Sequence, residues 1–290
     1  MIKKIKTWTE MIKIEHTLFS LPFVISAVLL ALEYTHQSFR LMPFVWVSLC
    51  LLGARSLGMT LNRIFDAQID SRNPRTQNRE IPSGKITKSQ AYFFSFLALA
   101  IFIYSAFQLP RLCQILLPIA LLWLFAYSWM KRFTFLCHFV LGTTLGGATL
   151  GAWIATTGTL DSWIPIYFAL AVSVWVAGFD IFYSIQDFEF DRRENLHSIP
   201  AVFGVKNAIL VARFLHVLTP FLLYYVGFLM NLGIIYKLGV LGVILALIYE
   251  AKLVREDKIE TAFFTVNSWI SVLIMLAIVL DLVFSCYIFS

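Results

Sequence analysis

Asn62, Asp66 and Asp70 stand at i, i+4 and i+8 of one stretch, with Arg55 seven residues before Asn62. At about 3.6 residues per turn all four side chains project from roughly one face of a helix. A second set, Asp180, Tyr183, Asp187 and Asp191, occupies i, i+3, i+7 and i+11, which predicts another single helical face. Both sets begin inside apolar runs and end where those runs meet polar loops. Ionised groups in such places are costly beside hydrocarbon unless the face lines a cavity. Carboxylates stacked in two clusters suit Mg²⁺, a hard cation that takes oxygen ligands and often bridges carboxylates to substrate phosphates. Arg72, Arg75, Arg79, Lys85, Lys131 and Arg132 lie close by in sequence and are available to hold phosphate oxygens. These residues predict an Mg²⁺–diphosphate site at the mouth of a helical bundle.

The elements that must position them are membrane helices. Hydrophobic residues make up 59% of the 290-residue chain and charged residues 14%, with a mean hydropathy of +0.79. Soluble domains carry about 25% charged residues, so the chain reads as an integral membrane protein. Its apolar segments are near the roughly 20 residues that a helix needs to span a bilayer, and the alternation of a membrane β-barrel is absent. Nine spans are predicted, over 18–31, 43–65, 92–109, 112–129, 135–155, 163–185, 208–230, 233–253 and 262–287. They compose one all-α domain over 1–290, a bundle around a central cavity.

Charge orients the bundle. Lys3, Lys4, Lys6 and Lys13 precede the first span, and basic residues follow the second, fourth, sixth and eighth. The opposite side receives only Arg40, Arg111 and Lys237. By the positive-inside rule the N-terminus and the cavity mouth are cytoplasmic, and the C-terminus lies on the other side. The formal charge of +6 is therefore topological and does not signal nucleic acid. The loops following Asp66 and Gln186 hold nearly all the chemistry; each opens with acidic residues and carries an Ile-Pro pair further on. Cys50, Cys113, Cys137 and Cys286 have neither zinc nor redox spacing and read as buried small side chains. Gly142, Gly146, Gly147 and Gly151 read first as sites of close helix approach and second as room for a chain-like ligand. His138 reads as a packed polar side chain.

The pattern Asn62-x3-Asp66-x3-Asp70 followed by Asp187-x3-Asp191, with Asp180 upstream, resembles the two aspartate motifs of the UbiA superfamily of intramembrane aromatic prenyltransferases. Residues 79–85 resemble that family's loop after the second span, and Tyr127-x3-Lys131-Arg132 resembles a further family segment. The Asn62-Arg63 pair departs from the Asn-Asp of many relatives. The phrases around both motifs look more like a bacterial branch that prenylates 4-hydroxybenzoate, or 1,4-dihydroxy-6-naphthoate on the futalosine route to menaquinone. The resemblance implies a polyprenyl diphosphate donor, an aromatic acid acceptor, Mg²⁺ and a bacterial inner membrane. It implies that Asp66, Asp70, Asp187 and Asp191 hold Mg²⁺ with help from Asn62. Lys131, Arg79 and Arg72 would neutralise departing pyrophosphate, with Lys85, Tyr127, Arg132 and Tyr183 also contacting substrate. Arg55 would bind an acceptor carboxylate or the diphosphate, and Asp180 would orient the acceptor, receive its proton, or pair with Arg55. A haem-type acceptor, or a secondary transporter of a small anion, are the alternatives.

Overall fold

The computed structural model describes residues 2–13 and 17–288; of residues 2–5, 17–19 and 285–288, which include Lys3, Lys4 and Cys286, only the backbone is described. All regular elements among the described residues are helices. In chain order they form α1 (Ile2–Met11), α2 (Thr17–Thr35), α3 (Leu41–Arg72), α4 (Lys88–Phe107), α5 (Arg111–Met130), α6 (Cys137–Thr157) and α7 (Ile164–Ser184). A 3₁₀ turn (Ile185–Asp187) and the short helices α8 (Phe188–Arg193) and α9 (Ile199–Phe203) lead to α10 (Val205–Leu229) and α11 (Ile234–Arg255). Then α12 (Ile259–Thr261) and a π turn (Ala262–Val266) open α13 (Asn267–Ile288). Among the described residues, eight helical segments are long and apolar enough to cross a membrane, and Ser20–Thr35 of α2 is a shorter apolar helix. Those nine apolar segments fall where the sequence predicts spans.

The centre of the bundle is α7. Trp175, Val176, Ala177 and Ile181 are completely buried, because α6 packs along one side of α7 and α10 along the other. Gly142 and Gly146 make the first contact possible: a Cβ on either would run into the α7 backbone at Ser173 or Ala169. Small residues at such crossings let backbones approach and gain dispersion contacts where no hydrophobic effect drives association. Around α7 the ring continues from α10 to α11, α13 and α2, while α3, α4 and α5 complete the other flank.

Polar ties set the register of the second half. Trp175 Nε1 donates to Asn267 Oδ1 at 2.9 Å, Asn267 Nδ2 donates to Glu250 Oε1 at 2.9 Å, and His216 Nδ1 lies 3.3 Å from Glu250 Oε2. One residue each from α7, α13, α11 and α10 is thus joined inside the bundle. Asp281 of α13 accepts the Gly233 and Tyr236 amides at 2.6 and 3.1 Å, so a neighbouring helix caps the start of α11.

Two elements carry the motifs. The 32 residues of α3 would extend about 48 Å, well beyond about 30 Å of hydrocarbon. Its last turns, from Asn62 to Arg72, are the surplus. At the end of α7 the helix tightens into the 3₁₀ turn before α8 begins, so Asp180 to Asp191 do not share one uninterrupted α-helical face as the spacing predicts. The turn changes the angular step between Tyr183 and Asp191, and Asp187 ends up buried against the loop after α3.

Candidate active site

The loop after α3 is folded by its own polar residues. Asn73 Oδ1 accepts the Arg75 amide at 2.9 Å, Thr76 Oγ1 donates to the Asp70 carbonyl at 3.2 Å, and the Arg79 amide donates to the Thr76 carbonyl at 2.9 Å. Gly84 takes a φ of +74°, which L side chains rarely adopt, and turns the chain toward α4. Thr87 and Gln90 then form a reciprocal capping box at the α4 start. This compact loop brings Arg75 and Arg79 back over the carboxylates.

Each of the four motif aspartates is held by a different cation. Asp66 Oδ1 is 2.8 Å from Arg132 Nη2, and Asp66 Oδ2 accepts from Asn62 Nδ2 at 2.9 Å. Asp70 Oδ1 accepts from Arg79 Nη1 at 2.7 Å. Asp187 is gripped by both Nε and Nη2 of Arg75 and also accepts from Asn73 Nδ2 at 2.9 Å. Asp191, fully buried, has Lys131 Nζ 2.8 Å from Oδ1 and the Ser198 hydroxyl donating to Oδ2 at 2.7 Å. The spacing alone predicts the carboxylates; the cations that meet them come from two chain segments, Arg75 and Arg79 from the loop after α3 and Lys131 and Arg132 from the end of α5.

Electrostatics reinforce these pairs outside the spans. Burial pulls the Lys131 ammonium down, but the adjacent Asp191 outweighs it and holds Lys131 above the ordinary lysine range. Burial likewise opposes the Arg75 charge, and the hydrogen bonds and charge of Asp187 override it. Arg75 also donates to the Tyr183 hydroxyl at 2.9 Å, with its guanidinium 5.1 Å from the Tyr183 ring centre. Tyr183 therefore acts first through Arg75.

Among the described residues no three His, Cys, Asp or Glu side chains converge closely enough to form a ready metal cluster. The donor set nevertheless fits Mg²⁺. Asp70 Oδ2 is buried and accepts no hydrogen bond from the described residues, and the buried Asp191 Oδ1 meets only the Lys131 ammonium, at 2.8 Å. Buried carboxylate oxygens with unused lone pairs are hard donors, and leaving them unsatisfied is costly.

Below the ion pairs lies an apolar cavity of about 440 Å³. Its lining follows α3 from Val47 to Met59, one turn before Asn62, and α5 from Cys113 to Tyr127, one turn before Lys131. Gly147 and Gly151 of α6 also line it, and a Cβ on either would meet nothing within 4 Å. The four glycines thus divide: Gly142 and Gly146 serve helix contact, Gly147 and Gly151 leave space.

The remaining sequence candidates are placed as follows. Arg55 lines the cavity and donates to the Lys13 carbonyl at 3.0 Å. Asp180 is joined to His138 at 2.7 Å, so its partner is a histidine of α6 and not Arg55. Arg72 forms an ion pair of 2.8 Å with Glu194 on the surface, and Lys85 is exposed beside Gly84. Arg63, the departure in the first motif, is buried on another face of α3 and donates to the Met11 carbonyl at 3.5 Å. Asn73 and Ser198 were not legible as site residues: both are common loop residues, and only the fold shows that Asn73 reaches Asp187 on another segment and that the loop turns Ser198 back to Asp191. His197 contributes its backbone, the amide donating to the Lys131 carbonyl at 2.8 Å.

Comparison with known proteins gives consistent matches. A model described as the UbiA prenyltransferase family matches residues 20–272. The chain is similar to a 4-hydroxybenzoate octaprenyltransferase of Saccharophagus degradans, 31% identical over 231 residues, which cover 78% of this chain and 76% of that relative. Among solved structures it is similar to the apo form of a UbiA homolog from Aeropyrum pernix K1. That match has a TM-score of 0.84 and 31% identity, covering 92% of this chain and 98% of the other. A UbiA homolog from Archaeoglobus fulgidus, bound to DMAPP and Mg²⁺, shares the fold with a TM-score of 0.71 at 17% identity, over 94% of this chain and 99% of that one.

Proposed function

The chain belongs to the UbiA prenyltransferase family, and on that premise we propose that it transfers a polyprenyl group from a polyprenyl diphosphate to an aromatic acid, 4-hydroxybenzoate or 1,4-dihydroxy-6-naphthoate, for ubiquinone or menaquinone synthesis. The observation that carries this reading is the set of four aspartate–cation pairs at one end of an apolar cavity. Such a site can exchange its internal ion pairs for a polyanion, and the cavity takes the hydrocarbon attached to it.

Asp66, Asp70, Asp187 and Asp191, with Asn62 beside them, would hold Mg²⁺, which when bound supplies positive charge to the diphosphate and makes it a better leaving group. Arg75, Arg79, Lys131 and Arg132 are placed to turn from carboxylate to phosphate oxygens as the diphosphate enters, since both are planar or tetrahedral oxyanions that guanidinium and ammonium groups recognise. Preorganised cations at the place where negative charge develops lower the barrier to allylic C–O cleavage. The cavity volume lies within the roughly 300–1,000 Å³ of ordinary ligand pockets, and its apolar lining suits a prenyl chain. Arg55, the one charged side chain among the described residues of that lining, offers a partner for the acceptor carboxylate. The electron-rich ring attacks the allylic carbon, and Asp180 takes the ring proton. We place the site on the cytoplasmic face of a bacterial inner membrane, in keeping with the basic loops that surround it.

The test is reconstitution in lipid with a polyprenyl diphosphate, Mg²⁺ and each acceptor in turn, measuring pyrophosphate and prenylated product. Product from one acceptor, abolished by EDTA and by Asp66→Ala, is the expected result. Absence of both product and Mg²⁺-dependent donor binding would overturn the reading.

A further inference from the structure

His138 and Asp180 stand apart from the four ion pairs but are joined to them. His138 Nδ1 is 2.7 Å from Asp180 Oδ2, and the other ring nitrogen, Nε2, accepts the Ile199 amide at 3.2 Å. A ring nitrogen that accepts an N–H bond carries a lone pair, so this imidazole is neutral and its proton sits on Nδ1. Asp180 Oδ2 is then the acceptor of that proton's hydrogen bond, and Oδ1 is left for another partner. The Asp180 side chain is 24% exposed, whereas His138 is 3% exposed; the part of the carboxylate that His138 does not cover stays accessible. Asp180 stands one turn before Tyr183 on α7, and the Tyr183 hydroxyl meets Arg75, which grips Asp187. Asp180 therefore stands within about a helical turn of the residues proposed to hold the diphosphate.

We infer that His138 is a positioning residue for proton removal, holding the Asp180 carboxylate oriented to take the proton from the ring carbon that has just been prenylated. The inference rests on the transfer reaction proposed above. In that reaction the carbon–carbon bond forms as the allylic C–O bond breaks, and the diphosphate departs with the electron pair. The ring C–H electrons then return to the aromatic system while the proton passes to Asp180, so no further reactant enters. The second nitrogen of His138 serves the same site from the other direction. Its partner, the Ile199 amide, opens the short helix α9, and the preceding residue, Ser198, donates to Asp191 at 2.7 Å. One imidazole thus ties the proton acceptor to the loop that fixes a second-motif carboxylate. A histidine suits this place because its two nitrogens act at once as donor and acceptor across a rigid ring.

Two substitutions separate the two bonds. His138→Asn keeps an amide nitrogen near the position of Nδ1 and with it the donor to Asp180. His138→Gln reaches toward Ile199 and gives up that donor. Both would be assayed in lipid nanodiscs with polyprenyl diphosphate, Mg²⁺ and acceptor carrying either hydrogen or deuterium on the ring, alongside Asp180→Asn and a thermal melt of each variant. H138Q and D180N are expected to lower kcat about 100-fold, within the usual range for losing general-base assistance, with the donor KM unchanged. Both should show a larger deuterium effect on kcat than wild type, while H138N keeps the wild-type effect. Equal losses in H138N and H138Q, with no change in deuterium effect and lower melting temperatures, would overturn the inference and make His138 a strut. If wild type itself yields no prenylated product, the transfer reading fails before any substitution is considered.

Discussion

At the site, the buried Oδ1 of Asp191 meets only the Lys131 ammonium, and the buried Oδ2 of Asp70 has no hydrogen-bond donor among the described residues. A buried acceptor left in this state costs about 1–3 kcal/mol, which a bound divalent cation would recover. Asp70→Asn is accordingly expected to reduce prenyl transfer by at least ~100-fold, the scale of losing one electrostatic contact to a developing charge, while the purified variant still melts cooperatively. Ser198→Ala removes the hydroxyl that steadies Asp191. Its expected signature is a higher Mg²⁺ concentration for half-maximal rate, read from a titration, with the donor KM little changed. The Lys131–Asp191 pair also makes a prediction in pH. Because Asp191 raises Lys131 above its ordinary value of 10.5, the pair contributes its full stability below that pH. The contribution is lost only as pH rises through the still higher folded value. Melting temperatures measured from pH 7 to 9.5 should therefore show a constant gap between wild type and Lys131→Met; a gap that closes within that window contradicts the pairing.

At the level of the helices, α6 does two jobs with one glycine pattern. Gly142 and Gly146 face α7 so closely that a methyl group meets backbone, which cannot move aside without parting the helices. Gly142→Ala should destabilise by about 1–3 kcal/mol, the ordinary cost of overpacking, and should lower expression and melting temperature. Gly147 and Gly151 face the cavity, where the same methyl meets nothing. Gly151→Leu is expected to leave the melting temperature near wild type and to shift preference toward shorter prenyl diphosphates. A competition assay with donors of different length reads this directly, and an unchanged preference would remove the cavity from the donor path. The 3₁₀ turn after α7 matters at the same scale: it rotates Asp187 into the grasp of Asn73 and Arg75, and so connects the two halves of the site.

Across the whole molecule, both motif-bearing loops emerge on one side of the bundle and contact one another, through Asn73 to Asp187 and through Arg72 to Glu194. The basic residues concentrated on that side predict a cytoplasmic site. Single cysteines at the exposed positions Gln77 and Asp161 test it. Gln77→Cys should label with an impermeant thiol reagent only in inside-out vesicles, and Asp161→Cys only in right-side-out ones. The reverse pattern would place the active site on the opposite face.

The sequence by itself determined the membrane class, the run of apolar helices and the aspartate spacing, because composition and period are local properties that the bilayer amplifies. Helix α3 carries Asn62, Asp66 and Asp70 as that spacing requires. Which glycines pack and which leave space could not be read from a near-regular spacing of four, since the answer depends on what lies opposite each one. The partners of the carboxylates were hidden for the same reason. Asp66 finds Arg132, Asp187 finds Arg75, and Asp180 finds His138 in place of Arg55. Those choices were decided by the tertiary structure alone, because a charge in a poorly solvated site takes the counter-charge or hydrogen-bond donor that folding brings within about 3 Å, whatever its distance along the chain.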